Sequence, residues 1–444
     1  MFEKYDAYKD SGIDWIGKIP TDWDALKLKN VAFSNPTNTA LANSLDKNTQ
    51  VCFLAMENVE ADGTVNYQNK RRLASVKSGF TNFIKNDVLV AKITPCFENG
   101  KGALVDQLNS EIGFGSTEFH VLRSKHNCHP KFLYYLTKSH NFMDFGEGMM
   151  IGSAGQKRVP TDFIENFNLA LPNKTLQGEI AKFLDAKTSE IEQVIAIKKQ
   201  QIALLNERKQ IVIQKAVTQG LDPNIAMKDS EVEWIGQIPE HWTVSKIRYL
   251  GTTQNGISAG GEYFGSGYPF VSYGDVYKNR VLPLEVNGLA QSTLSDQESF
   301  SVQEGDIFFT RTSETIEEIG FTSVCFKSID KAVFAGFLIR FRPFKKAQLL
   351  KEFSKYYFSS AMMRIYFVKE MNLVIRASLS QDLLKNLDVL LPPISEQKQM
   401  FEYLENVTGK IELAISVKQS EIEKLKEYKT TLINDAVTGK IKVA

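Results

Sequence analysis

The chain has 444 residues, enough for two to four ordinary domains, each able to bury its own core. Hydrophobic residues make up 43% and charged residues 24%, a balance typical of globular proteins and inconsistent with a largely disordered chain. With 53 basic against 52 acidic residues the formal net charge is only +1, so any nucleic-acid-binding surface has to be a local patch.

The opening residues, MFEKYDAYKD, hold no apolar stretch that could serve as a secretory signal, and no run of 18 apolar residues occurs. Cys52, Cys96, Cys128 and Cys325 are widely scattered, which suits a reducing compartment and predicts a cytoplasmic protein. WIGKIP at 15–20 and Trp23 open a stretch in which β-rich runs such as VCFLAM and FIKNDVLVAKI alternate with Gly, Asn and Asp turns. This pattern predicts an α+β domain. Late in it, HPKFLYYLTKSHNFM from His129 has helical spacing, and its aromatic residues read as core.

After the Leu-Pro pair at 171–172 the chain changes character, with no proline until Pro223. Ile191, Ile195, Ile202, Leu205, Val212 and Ala216 fall in three- and four-residue steps, the seam of a coiled coil. Lys198 and Lys209 occupy seam positions where an apolar residue would pack better. They read either as a register or orientation device or as lysines that snorkel from a wide part of the seam. A helix of this length reaches roughly 65 Å and would act as a spacer. Gly220 and the Leu-Asp-Pro that follows stop it.

The second half then repeats the first. WIGKIP returns as WIGQIP at 234–239, Trp23 returns as Trp242, and KNDVLVAKIT from Lys85 aligns with EGDIFFTRTS from Glu304, all at a shift of 219. Asp87 thereby pairs with Asp306, Lys92 with Arg311 and Thr94 with Ser313. Further on the shift is 220: LPNKTLQGEI from Leu171 matches LPPISEQKQM from Leu391, and the second seam is Ile411, Ile415, Ile422, Leu425, Leu432 and Ala436, with Lys418 and Lys429. The helical patch LLKEFSKYYFSSAMMRIYFV from Leu349 also has its counterpart in the first half. A period this long makes each copy a domain-sized unit and not one turn of a solenoid.

The expected fold is α+β: two globular domains, each followed by a long helix, with the two helices pairing as an antiparallel coiled coil in a pseudo-twofold internal repeat. The expected boundaries are 1–172 for the first globular domain, 173–220 for the first spacer helix, 221–228 for a linker, 229–391 for the second globular domain, and 392–444 for the second helix and tail.

Motifs for chemistry are missing. There is no phosphate loop, HExxH, CxxC, GxSxG or amino-methyltransferase [ND]PP[YFW] motif. YFGSG at 263–267 superficially matches a cofactor-binding glycine loop but lacks the preceding apolar strand. His120, His126, Cys128 and His129 gather metal-ligand types at a spacing that fits no zinc motif. No catalytic residue and no metal site is expected, so the reading is a non-enzymatic protein.

The doubled WIG-x-IP-x-x-W opening, the LPP-x-x-EQ start of the second helix and the alternation of domain and long helix resemble the specificity subunits of type I restriction-modification enzymes. One departure is that Asn173 and Leu176 stand where Pro393 and Glu396 stand in the second copy, while Gln177 and Gln397 are retained. The resemblance implies that each globular domain is a target recognition domain reading half of a bipartite DNA sequence. It also implies two methyltransferase subunits and further restriction subunits as partners, which would carry S-adenosylmethionine, ATP and Mg; none of these cofactors is expected on this chain. A coiled-coil adaptor without DNA binding, or a fragment of a fused restriction or modification enzyme, is the alternative.

Reading a half-site calls for groups at base edges flanked by cations on phosphates. In the first domain the candidates are Lys70, Arg71 and Arg72, then Lys92 and Thr94, then Gln156, Lys157 and Arg158 in GSAGQKR. In the second they are Tyr273, Lys278, Asn279 and Arg280, then Arg311, Thr312 and Ser313, and Arg376. Lys92 with Arg311 leads, because a cation ends the same strand in both copies while the surroundings diverge.

Overall fold

A computed structural model describes residues 2–153, 155–313, 319–370 and 377–443. The chain divides into two compact units, Met1–Lys198 with Gln419–Ala444, and Lys199–Lys418. This division cuts each long helix near its middle, so each unit owns a globular domain and half of both helices.

In the first unit a hairpin joins Tyr8–Asp10 to Lys18–Pro20, and Asp24–Lys27 pairs antiparallel with Asn168–Leu171, tying the start of the domain to its end. Between them lie two four-stranded sheets. One runs Lys70–Arg72, Gln50–Leu54, Gly113–Gly115, Thr81–Phe83; the other runs Ala32–Ser34, Phe119–Ser124, Val88–Ala91, Gly102–Leu104. Val88–Ala91 is flanked by a strand on either side and buried at all four residues, which is why it reads as an unbroken apolar run and not as an alternation. Leu54, Phe83, Leu89, Ala91, Phe119 and Val121 form the core between the sheets.

The second unit repeats the plan. A hairpin joins Met227–Asp229 to Gln237–Pro239, and Thr243–Lys246 pairs with Asp388–Leu391. A four-stranded sheet runs Gly251–Asn255, Leu338–Pro343, Ile307–Thr310, Thr322–Val324, and a three-stranded one runs Gly288–Ala290, Phe264–Val271, Val333–Phe334. Within YFGSG, Tyr263 ends the short turn Gly261–Tyr263 and the other four residues open the bulged strand Phe264–Val271, whose register shifts between Phe264 and Tyr268.

Each predicted helical patch is two short helices, Pro130–Thr137 and His140–Gly148, then Lys351–Tyr357 and Ala361–Glu370. Ser139 Oγ accepts the N–H of Phe142 and so starts a new helix where the periodicity alone would run through. Phe132, Tyr135, Phe142, Phe353, Tyr356, Tyr357 and Phe367 are all buried, as the core reading of these aromatics expects.

The long helices are Lys174–Gln219 and Ile394–Val437. Within each unit the two half-helices run antiparallel. In the first, Lys198 Nζ donates to Glu421 at 2.6 Å and Lys429 Nζ to Glu192 at 2.6 Å; in the second, Lys209 pairs with Glu412 at 2.5 Å and Lys418 Nζ donates to Gln201 at 2.6 Å. The seam lysines therefore bind specific partners across the helix pair, in the same pattern twice. Ile191, Ile195, Ile411, Ile422 and Leu432 are buried, whereas Ile202, Leu205, Val212, Ile415 and Leu425 are half-buried. No helix among the described residues is long and apolar enough to cross a membrane.

Candidate nucleic-acid interface

The domains are clamped to the helices by a duplicated set of buried polar contacts. Gln177, fully buried, accepts the His129 N–H at 2.7 Å and donates to the carbonyls of Asn127 and Pro172 at 3.0 and 2.8 Å. Gln397, also fully buried, accepts the Leu350 N–H at 2.9 Å and donates to the carbonyls of Gln348 and Pro392, both at 2.8 Å. Tyr135 donates to Asp185 at 2.6 Å, and Tyr356 to Glu405 at 2.6 Å. The aligned acids Asp87 and Asp306 are buried and hold Arg123 and Arg342 in two-pronged pairs at 2.6 to 2.7 Å. These groups are fully engaged in holding the scaffold.

At the end of Val88–Ala91 in the first unit and of Ile307–Thr310 in the second lies a second duplicated arrangement, this time of backbone. Lys92 N–H donates to Glu118 O at 2.9 Å, and Arg311 N–H to Phe337 O at 2.9 Å. The carbonyl of Lys92 accepts from Val159 at 2.8 Å, and that of Arg311 from Leu379 at 2.7 Å. Phe119 N–H closes a turn onto Ser116 O at 3.3 Å, and Leu338 N–H onto Ala335 O at 3.0 Å. The strand continues as Ile93 bridged to Arg158 in one unit, and as Thr312–Ser313 paired with Ala377–Ser378 in the other. One scaffold therefore presents three neighbouring positions: Lys92, Glu118 and Arg158 in the first unit, Arg311, Phe337 and Ser378 in the second.

In the first unit Arg158 grips Glu118 with Nε and Nη2, each at 2.9 Å. The Arg158 hydrogen bond and charge, with Lys92 adding to them, hold the Glu118 carboxyl below the usual range despite partial burial. His120 is buried; its Nε2 lies 2.9 Å from Val159 O and its Nδ1 3.3 Å from Asn35 Nδ2. A carbonyl only accepts, so Nε2 carries the proton and Nδ1 accepts. Burial lowers the His120 pKa, which keeps this imidazole neutral.

Of the residues selected from sequence, Lys92, Thr94, Lys157 and Arg158 come together, with Thr94 Oγ1 donating to Lys157 O at 3.2 Å and Gln156 two residues before Arg158. Arg311, Thr312 and Ser313 occupy the matching strand end; Arg376 lies outside the described residues. Lys70, Arg71 and Arg72 form the exposed edge of the other sheet, Arg71 lying 3.7 Å over the Phe53 ring. Tyr273 and Lys278 lie on the helix Tyr273–Lys278 with Asn279 at its end, and Lys278 and Asn279 are exposed. Arg280 is half-buried; desolvation lowers its pKa, opposed by Tyr356 and by Glu412 of the second long helix. Glu118 and Phe337 are not among those candidates, because cations for phosphates and uncharged hydrogen-bonding groups for base edges leave out a carboxylate and a phenyl. The shift of 219 does pair them. Among the described residues no three His, Cys, Asp or Glu side chains gather to hold a metal.

A sequence profile described as the type I restriction modification DNA specificity domain matches the chain twice, at residues 20–206 and 239–424. The specificity subunit of the EcoEI type I restriction enzyme of Escherichia coli is 35% identical over 166 residues, 37% of this chain and 27% of that protein. The EcoAI specificity subunit of E. coli is 38% identical over 158 residues, 35% of this chain and 26% of its own length. The match therefore spans about a quarter of these two relatives. The putative MjaX specificity subunit of Methanocaldococcus jannaschii is 24% identical over 448 residues, 96% of each chain. Two solved structures share the fold. A chain from a study of type I R-M complex assembly and conformational transition has a TM-score of 0.75 at 17% identity, covering 94% of this chain and 98% of its own. The HsdS subunit from Thermoanaerobacter tengcongensis has a TM-score of 0.55 at 16% identity, covering 95% and 98%. With both copies matched over most of their length, the chain belongs to the type I restriction-modification DNA specificity domain family.

Proposed function

We propose that this chain is the sequence-specific DNA-binding subunit of a type I restriction-modification complex, each unit reading one half of a bipartite duplex sequence. The observation that carries this reading is the duplicated strand-end scaffold, which keeps its backbone hydrogen bonds in both units while its side chains differ. A fixed frame with interchangeable side chains is what two readers of different half-sites require. The catalysis is assigned to partners: two methyltransferase subunits using S-adenosylmethionine, and restriction subunits using ATP and Mg, working in the cytoplasm.

The test is titration of duplex DNA with this chain bound to its methyltransferase subunit, over a range of salt. The logarithm of affinity should fall linearly with the logarithm of salt, by about 0.9 per phosphate neutralised. Lys92→Ala and Arg311→Ala should each flatten that slope by about one contact. Affinity that ignores salt would overturn the reading, and cleavage or methylation by the chain alone would show that it carries its own chemistry.

A further inference from the structure

Positions 118 and 337 sit on the same backbone frame. Each lies in a turn closed by the residue after it, Phe119 onto Ser116 or Leu338 onto Ala335, and each accepts at its carbonyl the backbone N–H of the residue at the strand end, Lys92 or Arg311. The neighbours Phe119 and Leu338 are buried core residues, so the frame is held independently of the side chains at 118 and 337. Those side chains are opposite in chemistry. Glu118 is a carboxylate locked against the Arg158 guanidinium, both partly open to solvent. Phe337 is a phenyl ring 63% exposed, next in sequence to core residues yet outside the core.

We propose that these two positions determine base specificity: the Glu118–Arg158 pair reads a G·C base pair in one half-site, and Phe337 contacts a thymine methyl in the other. The inference rests on the DNA-reading function proposed above. In the major groove only guanine offers two adjacent acceptors, O6 and N7, and its partner cytosine offers a donor, N4. A guanidinium and a carboxylate side by side at 2.9 Å match that donor and acceptor order, and their mutual grip orders both before DNA arrives, lowering the entropy cost of binding. Phe337 has no polar atom to pair with a base edge. The thymine C5 methyl is the apolar group that edge presents, and covering the exposed ring removes it from water.

The experiment uses the full chain bound to its methyltransferase subunit and selects bound duplexes from a library with random half-sites. Glu118→Gln and Arg158→Ala should each lose, by about fivefold or more, a preference for one G·C pair in one half-site only. Phe337→Ala should lose a thymine preference in the other half-site to a similar extent, and Phe337→Leu, which keeps an apolar contact, should retain most of it. Replacing that thymine with uracil should weaken the wild type several-fold and leave Phe337→Ala unaffected. Unchanged base preferences, a uniform loss across all sequences, or both sets of variants acting on the same half-site would overturn the assignment. A wild-type complex that selects no sequence would instead sink the DNA-reading function itself.

Discussion

Trp242 Nε1 donates to Glu396 Oε2 at 2.9 Å, joining the tryptophan of the WIG-x-IP-x-x-W motif to the first turn of the second long helix. In the other unit the equivalent Trp23 is just as buried, but its Nε1 has no hydrogen-bond partner among the described residues. The acceptor is missing because Leu176 stands where Glu396 would, and Asp22 stands where His241, the second partner of Glu396, would.

Supplying the missing acceptor should therefore stabilise the protein. Leu176→Glu is expected to add about 1 kcal/mol by satisfying the Trp23 indole, and Glu396→Leu to remove about 1 to 3 kcal/mol by orphaning that of Trp242. Urea denaturation of both variants checks this, and a destabilising Leu176→Glu would refute it.

The buried glutamines make a stronger case. Gln177→Ala takes the partner from an N–H and two carbonyls, of which the bond to the Pro172 carbonyl is buried, and Gln397→Ala does the same in the second unit, where the bond to the Pro392 carbonyl is buried. Each should cost at least about 1 to 3 kcal/mol, the penalty for orphaning a single buried polar group. Thermal unfolding of each variant is the measurement; a melting temperature equal to wild type would mean the clamp is idle.

Gly439 and Gly220 close the two long helices with φ of +74° and +77°, where a Cβ is disfavoured. A Cβ on Gly439 would lie 2.5 Å from Pro20 Cδ, whereas one on Gly220 would meet Trp242 at an ordinary 3.5 Å. Gly220→Ala should cost only the backbone strain, about 1 to 2 kcal/mol, and Gly439→Ala clearly more. Equal losses in a side-by-side melt would contradict the packing difference.

The cross-helix lysines predict a salt-dependent effect. Lys209→Met should change stability by less than about 1 kcal/mol, because its stem already packs in the seam and a pair at this exposure is weak. Lys209→Glu, facing Glu412, should destabilise, and added salt should recover part of the loss. A loss insensitive to salt would point to packing instead of charge.

Acid titration tests the Glu118–Arg158 pair. Because Arg158 holds the folded Glu118 pKa below its unfolded value, the pair's stabilisation is present above the ordinary glutamate range of about 4.3. It is lost as pH falls through the folded value. The stability gap between wild type and Glu118→Gln should accordingly be open at pH 6 and close in acid, and carboxyl NMR should find the Glu118 titration shifted up in Arg158→Ala. A gap that persists in acid would assign the stabilisation to shape and not to charge.

Much was legible in the sequence for a simple reason: periodicity and repetition are local or countable properties. The seam spacing pointed to two long helices, and the 219–220 shift to two equivalent halves, before any contact was known. The family resemblance rested on the same doubled motif, and the profile match to both halves agrees with it. What the linear pattern could not show is which side chains meet. Lys92 and Arg158 are far apart in the chain and converge only because a strand end and a returning segment share a backbone bridge at Ile93. The seam lysines look like defects until the antiparallel pairing brings Glu192, Glu412 and Glu421 opposite them. Even Leu176, a minor departure in the alignment, acquires meaning only from the indole it leaves unpaired. The sequence by itself determined the repeat and its helices, because apolar spacing encodes which face is buried. Tertiary structure decided the partners, because hydrogen bonds and ion pairs depend on distances that chain order does not contain.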